Sequence, residues 1–107
     1  MTRRLLRGLA LCLLAAPAGA ADMLADCERH AVSFFRAAGA DIRSVTIDRG
    51  DSLVVDRYDA DVGRQRVATE YFGWADVASG DGTRRQRFVC LHAGAGKGAV
   101  YVGFFPD

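Results

Sequence analysis

Two patterns of apolar residues divide this chain, a helical period before residue 39 and a two-residue alternation after residue 42. Residues 22–38 place one apolar stripe on a helix, at Leu24, Cys27, Ala31, Phe34, Phe35 and Ala38. Asp22 is suited to cap the start of this helix, and Gly39 to be the residue that leaves its end. The pattern predicts one helix whose stripe packs on a sheet.

The alternation predicts five strands, at residues 43–49, 52–59, 64–77, 84–92 and 99–105. Gly50-Asp51 is a two-residue turn signal, and Gly80-Asp81 is a stronger one. Short connections between successive strands favour antiparallel pairing. We therefore predict an α+β fold in which one N-terminal helix packs across a four- to five-stranded antiparallel meander sheet.

The first 20 residues have the layout of a secretory signal peptide. Arg3, Arg4 and Arg7 precede an apolar run, and small residues lead to a cleavage point after Ala20 or one residue later. An uncleaved membrane anchor is the alternative, but a span needs about 20 consecutive apolar residues. We expect residues 1–20 to be cleaved and residues 21–107 to form a single small domain, periplasmic or secreted, with no transmembrane span.

Cleavage changes both the charge and the cysteine count. Of the 14 basic residues three leave with the leader, so 11 remain against 13 acidic residues. A chain with this mildly acidic balance has no overall positive potential that would attract nucleic acid. Cys12 also leaves, and Cys27 and Cys90 remain for one disulfide in an oxidising compartment. Closing a loop of about 60 residues contributes on the order of 4 kcal/mol. The alternative is a pair of free buried thiols.

A turn centred on Gly80-Asp81 predicts the register of the third and fourth strands. It sets Asp76 opposite Arg85, Trp74 opposite Arg87 and Phe72 opposite Val89. Tyr71, Phe88 and Cys90 then share the face that meets the helix, which leaves Phe72, Trp74, Val89 and Leu91 on the other face.

That second face holds the candidate partner-binding residues, because aromatic and arginine side chains are typical of interface hot spots. They are Phe72, Trp74, Arg85 and Arg87. A curled sheet, or loops folded over this face, would instead hide the apolar residues. Cross-strand ion pairs such as Asp76–Arg85 are the ordinary explanation for the arginines.

No catalytic constellation is complete. Residues 50–53 spell GDSL, the block that names an esterase family, but the Asp-x-x-His pair of those enzymes is missing. These four residues also fall in the expected hairpin turn. The glycine-rich segment at residues 94–98 lacks the Walker A spacing and its Ser or Thr. We expect no enzyme activity and no cofactor.

Metal binding is the alternative of a different class. His30 and His92 each lie within three residues of a disulfide cysteine, so with Asp26 or Glu28 they are candidate zinc or copper ligands. Asp56, Asp59 and Asp61 with Gly63 are similar to the opening of a calcium loop, but the later bidentate Glu is missing.

The sequence therefore predicts a small exported non-catalytic protein that acts as a binding or interaction module. Its expected partners are an envelope protein or an anionic envelope polymer. A self-associating structural protein, which would form a homodimer, is the remaining alternative.

Overall fold

A computed structural model describes residues 22–106, so the predicted signal peptide and Cys12 lie outside the described residues. The elements are one helix, α1 (Met23–Ala37), and five strands, β1 (Ile42–Ile47), β2 (Val54–Val62), β3 (Gln65–Ser79), β4 (Gly82–His92) and β5 (Ala99–Phe104). The strands form one antiparallel sheet on which the helix packs. The predicted fold class is confirmed. Over residues 22–106, no helix is long and apolar enough to cross a membrane.

Both ends of the helix are set by residues that the sequence marks. The Asp22 carboxylate accepts a hydrogen bond from the Ala25 backbone N–H at 3.0 Å, which satisfies one of the free donors of the first turn. Gly39 has a φ of 94°, and its N–H and that of Ala40 donate to the carbonyls of Arg36 and Phe35. This is a Schellman ending, which requires the left-handed conformation that glycine adopts at low cost.

The long strand β3 organises the sheet. Along one side it pairs with β4 over their whole shared length, from Thr69–His92 to Ser79–Gly82. Along the other side its first half pairs with β2 and its second half with β1. The two short strands therefore lie end to end on the same edge of β3.

The prediction that Gly50-Asp51 is the turn of a hairpin between the first two strands is wrong. The Leu53 N–H does donate to the Gly50 carbonyl at 3.1 Å, so a turn exists. The chain then continues in its original direction, and residues 48–53 form an excursion opposite Gly73 and Trp74. The 15 residues of β3 give an edge long enough for both short strands. The meander runs only from β2 to β5.

The sheet curves around the helix. The helix packs mainly on β1 and β5, at opposite sides of the sheet, and less on β4 between them. A flat sheet would present its central strands to a helix lying across it. We call the concave, helix-covered side the inner face and the opposite side the outer face.

The inner face contains the main hydrophobic core. The helix contributes the buried residues Cys27 and Ala31. The strands contribute the rest of the buried cluster, namely Val45, Ile47, Tyr71, Ala75, Val77, Phe88, Cys90 and Val102. The Cys27–Cys90 disulfide joins helix to sheet with a Cα–Cα distance of 6.1 Å. The predicted pairing is thus confirmed, and both cysteines are fully buried.

Phe34 departs from the predicted helical stripe. Its side chain is 53% exposed, whereas Phe35 packs against the core with its ring 5.5 Å from that of Phe104. Successive residues of an α-helix are about 100° apart, so these two neighbours cannot both face the sheet. Ala38 is likewise exposed, because it lies beyond the end of the helix.

A polar bridge lies beside the disulfide. The fully buried His92 places Nε2 2.8 Å from the Asp26 carboxylate, and its Nδ1 accepts a hydrogen bond from the Gly94 N–H at 2.9 Å. Because the Gly94 backbone is always a donor, Nδ1 carries no proton and Nε2 donates to Asp26. Both ring nitrogens are therefore used in tying the start of the helix to the end of β4.

Candidate binding site

The outer face carries the four candidate partner-binding residues in the predicted register. Phe72 pairs with Val89, Trp74 with Arg87 and Asp76 with Arg85, which confirms the predicted cross-strand alignment. Phe72 and Trp74 are half-buried, while the two arginines are exposed. Within residues 22–106 no helix covers this side, and Phe72 and Trp74 both line an open groove, so the curvature of the sheet does not hide them.

Trp74 is the centre of the site. The guanidinium carbons of Arg85 and Arg87 lie 5.6 and 5.5 Å from the centroid of its ring. Cations at this distance from an indole are attracted by the electron-rich ring face. The predicted Trp74–Arg87 pair is thus present, and Arg85 makes a second contact with the same ring.

The two arginines differ in their electrostatic environment. Arg85 forms ion pairs with Asp48 and Asp76, the latter at 3.6 Å. Its hydrogen bond to Asp48, together with that from the Gly50 N–H, lowers the pKa of the Asp48 carboxyl, and Asp48 in turn raises the pKa of Arg85. Arg87 forms no ion pair with a carboxylate among residues 22–106. Its charge is therefore available to a ligand.

A groove of about 630 Å³ opens beside Trp74. Phe72, Trp74 and Arg87 line its floor. Its remaining lining comes from the excursion and the start of β2, from the C-terminal segment and from the sheet, at Ser52, Val54, Gly73, Phe88, Phe105 and Pro106. The groove is thus an apolar channel with one uncompensated guanidinium.

Sequence reasoning missed the residues that flank the groove. Val54 and Phe105 are 54% and 44% exposed. Val54 could have been found from the alternation within β2, but only once the pairing of Val54 with Phe72 was known. Phe105 reaches the groove because its N–H donates to the Arg87 carbonyl at 2.9 Å, beyond the end of β5.

Tyr101 extends the apolar surface on β5. It is 50% exposed and pairs with Leu91 on the outer face. Its ring lies across Gly103, where an added Cβ would meet a ring carbon at 3.0 Å. Glycine at this position lets the tyrosine lie against the sheet.

Two carboxylates lie at the opposite end of the outer face. Asp56 on β2 is directly opposite Glu70 on β3. Partial burial, a shared hydrogen bond and the negative charge of Asp56 together raise the pKa of the Glu70 carboxyl. The outer face therefore has one acidic end and one arginine-rich end.

Of the candidate zinc or copper ligands, His92 and Asp26 are brought together, and they are hydrogen-bonded to each other. His92 has both ring nitrogens engaged, and His30 stacks on Phe34 with 6.1 Å between ring centroids. Asp59 and Asp61, from the calcium-like segment, form ion pairs with Arg66. Within the part of the chain that the structure describes, no group of three His, Cys, Asp or Glu residues is placed to hold a metal ion.

The GDSL segment at residues 50–53 and the glycine-rich segment at residues 94–98 both form turns. Ser52 of the GDSL segment lines the groove from the excursion. In the glycine-rich segment the Lys97 N–H donates to the Gly94 carbonyl at 2.8 Å, which closes a turn between β4 and β5. The GDSL segment thus belongs to the connection between β1 and β2, and the glycine-rich segment to the connection between β4 and β5.

No protein-family model matches this chain, and no curated protein or solved structure is significantly similar to it.

Proposed function

We propose that this chain is a non-catalytic, exported interaction module that binds its partner through the outer face. The observation that carries the proposal is Trp74 beside Arg87, a guanidinium without a carboxylate partner in residues 22–106, at an apolar groove. Tryptophan and arginine are the residue types most often found to dominate binding energy at protein interfaces. The fold does not require this arrangement, since the core lies on the inner face.

The chemistry of the groove defines what it binds. Phe72, Val54 and Phe105 offer apolar contacts, and the Arg87 guanidinium offers several N–H donors to a carboxylate or phosphate oxygen. A partner that fits presents an apolar or aromatic group next to an anionic one. An envelope protein with such a segment meets both requirements.

Export of the chain rests on two further features. The leader has a basic beginning, an apolar middle and a small-residue end. The disulfide is compatible with an oxidising, non-cytoplasmic compartment, where such bonds persist. Intact mass analysis of the exported protein tests this part, and we expect a chain that starts at Ala21 or Asp22 and carries the disulfide.

Photo-cross-linking in the native host tests the binding face. A benzophenone amino acid replaces Tyr101, which is exposed on the outer face, and in a matched control it replaces Phe34, which is equally exposed on the helix. We expect a discrete covalent adduct from position 101 and none from position 34. Adding Arg87→Ala to the position 101 reporter should remove the adduct while leaving the protein folded.

Two results would contradict the proposal. One is an absence of any discrete adduct from position 101. The other is an adduct that persists with Arg87→Ala, or that forms equally from position 34, because the outer face would then not be the determinant.

A further inference from the structure

Charges and apolar residues follow one another in order along the outer face. Arg87, beside Trp74, forms the basic end, because the charge of the neighbouring Arg85 is already balanced by Asp48 and Asp76. Phe72 and its partners on the neighbouring strands, Val54 and Val89, form an apolar centre. Asp56 and Glu70 form the acidic end. Trp74 and Glu70 are separated by four strand positions, or about 13 Å.

This order makes the surface complementary to itself. Trp74–Arg87 lies two residues to one side of the Phe72–Val89 pair, and Glu70 lies two residues to the other side. Consider two outer faces packed against each other, related by a two-fold axis that lies in the plane between them. If this axis runs perpendicular to the strands and passes over Phe72, the basic end of each copy lies on the acidic end of the other. The apolar centres then meet. A two-fold contact requires this kind of self-complementarity.

We propose that the partner of the outer face is a second copy of this chain, which packs face to face as a two-fold dimer. The inference rests on the proposed function, since both assign binding to the outer face. Arg87 then gains the carboxylate partner that it lacks within residues 22–106. The Asp56–Glu70 pair, in which like charges are directly opposed, gains a cation.

The dimensions of packed sheets allow this arrangement. Two sheets pack about 10 Å apart with their strands within about 30° of each other. Arginine and glutamate side chains can meet across such a gap, while Phe72, Val89 and Val54 fill the centre.

The acidic end also argues against an anionic polymer as the partner. A polymer that followed the outer face from Arg87 would run onto Asp56 and Glu70. Like charges in direct contact oppose such binding. A partner with both signs of charge, in reverse order, avoids this conflict.

Pairing of two copies through the edge of β2 that no other strand of residues 22–106 covers is another way to build a dimer, and this edge is poorly suited to it. Asp56 and Arg57 carry charge along this strand, and Asp59 has a φ of 49° at an irregularity in the pairing. Charged residues and bulges are the features by which natural edge strands resist pairing.

A charge-swap series tests the proposal on the purified mature protein. Light scattering coupled to size-exclusion chromatography should show a dimer for the wild type. Arg87→Glu places the introduced carboxylate of each copy against Glu70 of the other, and Glu70→Arg places two guanidinium groups together. Each single variant should weaken dimerisation by at least about tenfold.

Mixing the two single variants should restore the dimer. One copy then presents a carboxylate at both positions and the other presents a guanidinium at both, so the two contacts are again between opposite charges. The double variant Arg87→Glu, Glu70→Arg should also dimerise. Arg57→Glu is the control, because this exposed residue lies on the inner side of β2 in the observed register and should leave the dimer unchanged.

The proposal is overturned if the wild type is monomeric at high concentration, or if the single variants dimerise like the wild type with unchanged circular dichroism. It is also overturned if the mixture stays monomeric. The mass of the cross-linked adduct from position 101 distinguishes failure of the dimer proposal from failure of the proposed function. A doubled chain mass supports the dimer, whereas a different mass refutes it and leaves the outer face as the binding surface for another protein.

Discussion

The two faces of one sheet differ in almost every physical property. The inner face is closed by the helix, carries a fully buried disulfide and contains a histidine whose two ring nitrogens are both hydrogen-bonded. The outer face has a groove, half-buried aromatic residues and an arginine without a carboxylate partner in the described chain. Alternate residues of the same strands supply both faces.

This difference separates stability from recognition. Substitutions on the inner face remove buried contacts or leave a polar group without its partner, and these are the changes that destabilise folded proteins most. Outer-face side chains contribute less to folding, so they are free to serve a partner. Three stability measurements test the contrast, each made at a dilution where the protein is monomeric.

Removal of the disulfide should have the largest effect. We expect Cys27→Ala with Cys90→Ala to lower the free energy of unfolding by about 4 kcal/mol, because the unfolded chain loses a long cross-linked loop. Urea denaturation followed by circular dichroism measures this. Trp74→Ala is the outer-face control, with an expected cost of about 1 kcal/mol from its contacts with the two arginines. If both variants lost the same free energy of unfolding, the two faces would not differ in their contribution to stability.

Loss of the buried histidine should come next. His92→Ala leaves the Gly94 N–H without its acceptor and removes one of the two partners of the Asp26 carboxylate, which keeps Arg29, at a cost of about 2–3 kcal/mol. His30→Ala is the matched control, since this half-buried histidine only stacks on Phe34, and it should change stability by about 0.5 kcal/mol or less. Similar urea midpoints for the two variants would show that the polar bridge contributes little.

The carboxylate pair on the outer face should give the smallest effect, with the opposite sign. Glu70→Gln removes a charge directly opposite Asp56, so we expect stability at neutral pH to rise by less than about 1 kcal/mol, reduced by solvent screening. The raised pKa of Glu70 means that the folded state binds the proton more tightly than the unfolded chain.

The pH dependence tests the cause of this effect. Below the pKa that Glu70 has in the unfolded chain, its protonation adds to the free energy of unfolding of the wild type. This contribution should be lost as the pH rises through the higher pKa that Glu70 has in the folded protein. Urea midpoints across this acidic range should show the contribution in the wild type and not in Glu70→Gln. Parallel profiles for the two proteins would mean that the carboxylates do not interact.

Much of the fold follows from local sequence signals. Asp22 and Gly39 define the ends of the helix because their caps involve only neighbouring backbone groups. The Gly80-Asp81 turn sets the whole β3–β4 register, because a two-residue turn allows one alignment of its strands. The disulfide was predicted from the expected export and from the two cysteines outside the predicted leader, and the pairing in turn indicated which face of β4 meets the helix.

The parts that the sequence did not reveal depend on distant residues. Gly50-Asp51 is compatible with a hairpin and with an excursion, and the choice depends on the length of β3, which accepts both short strands on one edge. Asp48 is an ion-pair partner of Arg85 only because that excursion lies beside Trp74 of β3, so that the two side chains meet across β3. The binding role of Phe72, Trp74, Arg85 and Arg87 stays a prediction.

The sequence by itself determined the kinds of element, the cysteine pair and which residues of β3 and β4 share a face, since these depend on chain periodicity and short turns. Only the tertiary structure decided where β1 and β2 lie, that Phe105 and Val54 flank a groove, and that the outer face has an acidic and a basic end. These features arise where segments far apart in the chain meet, and the energies that select them are those of packing and charge, which no local pattern records.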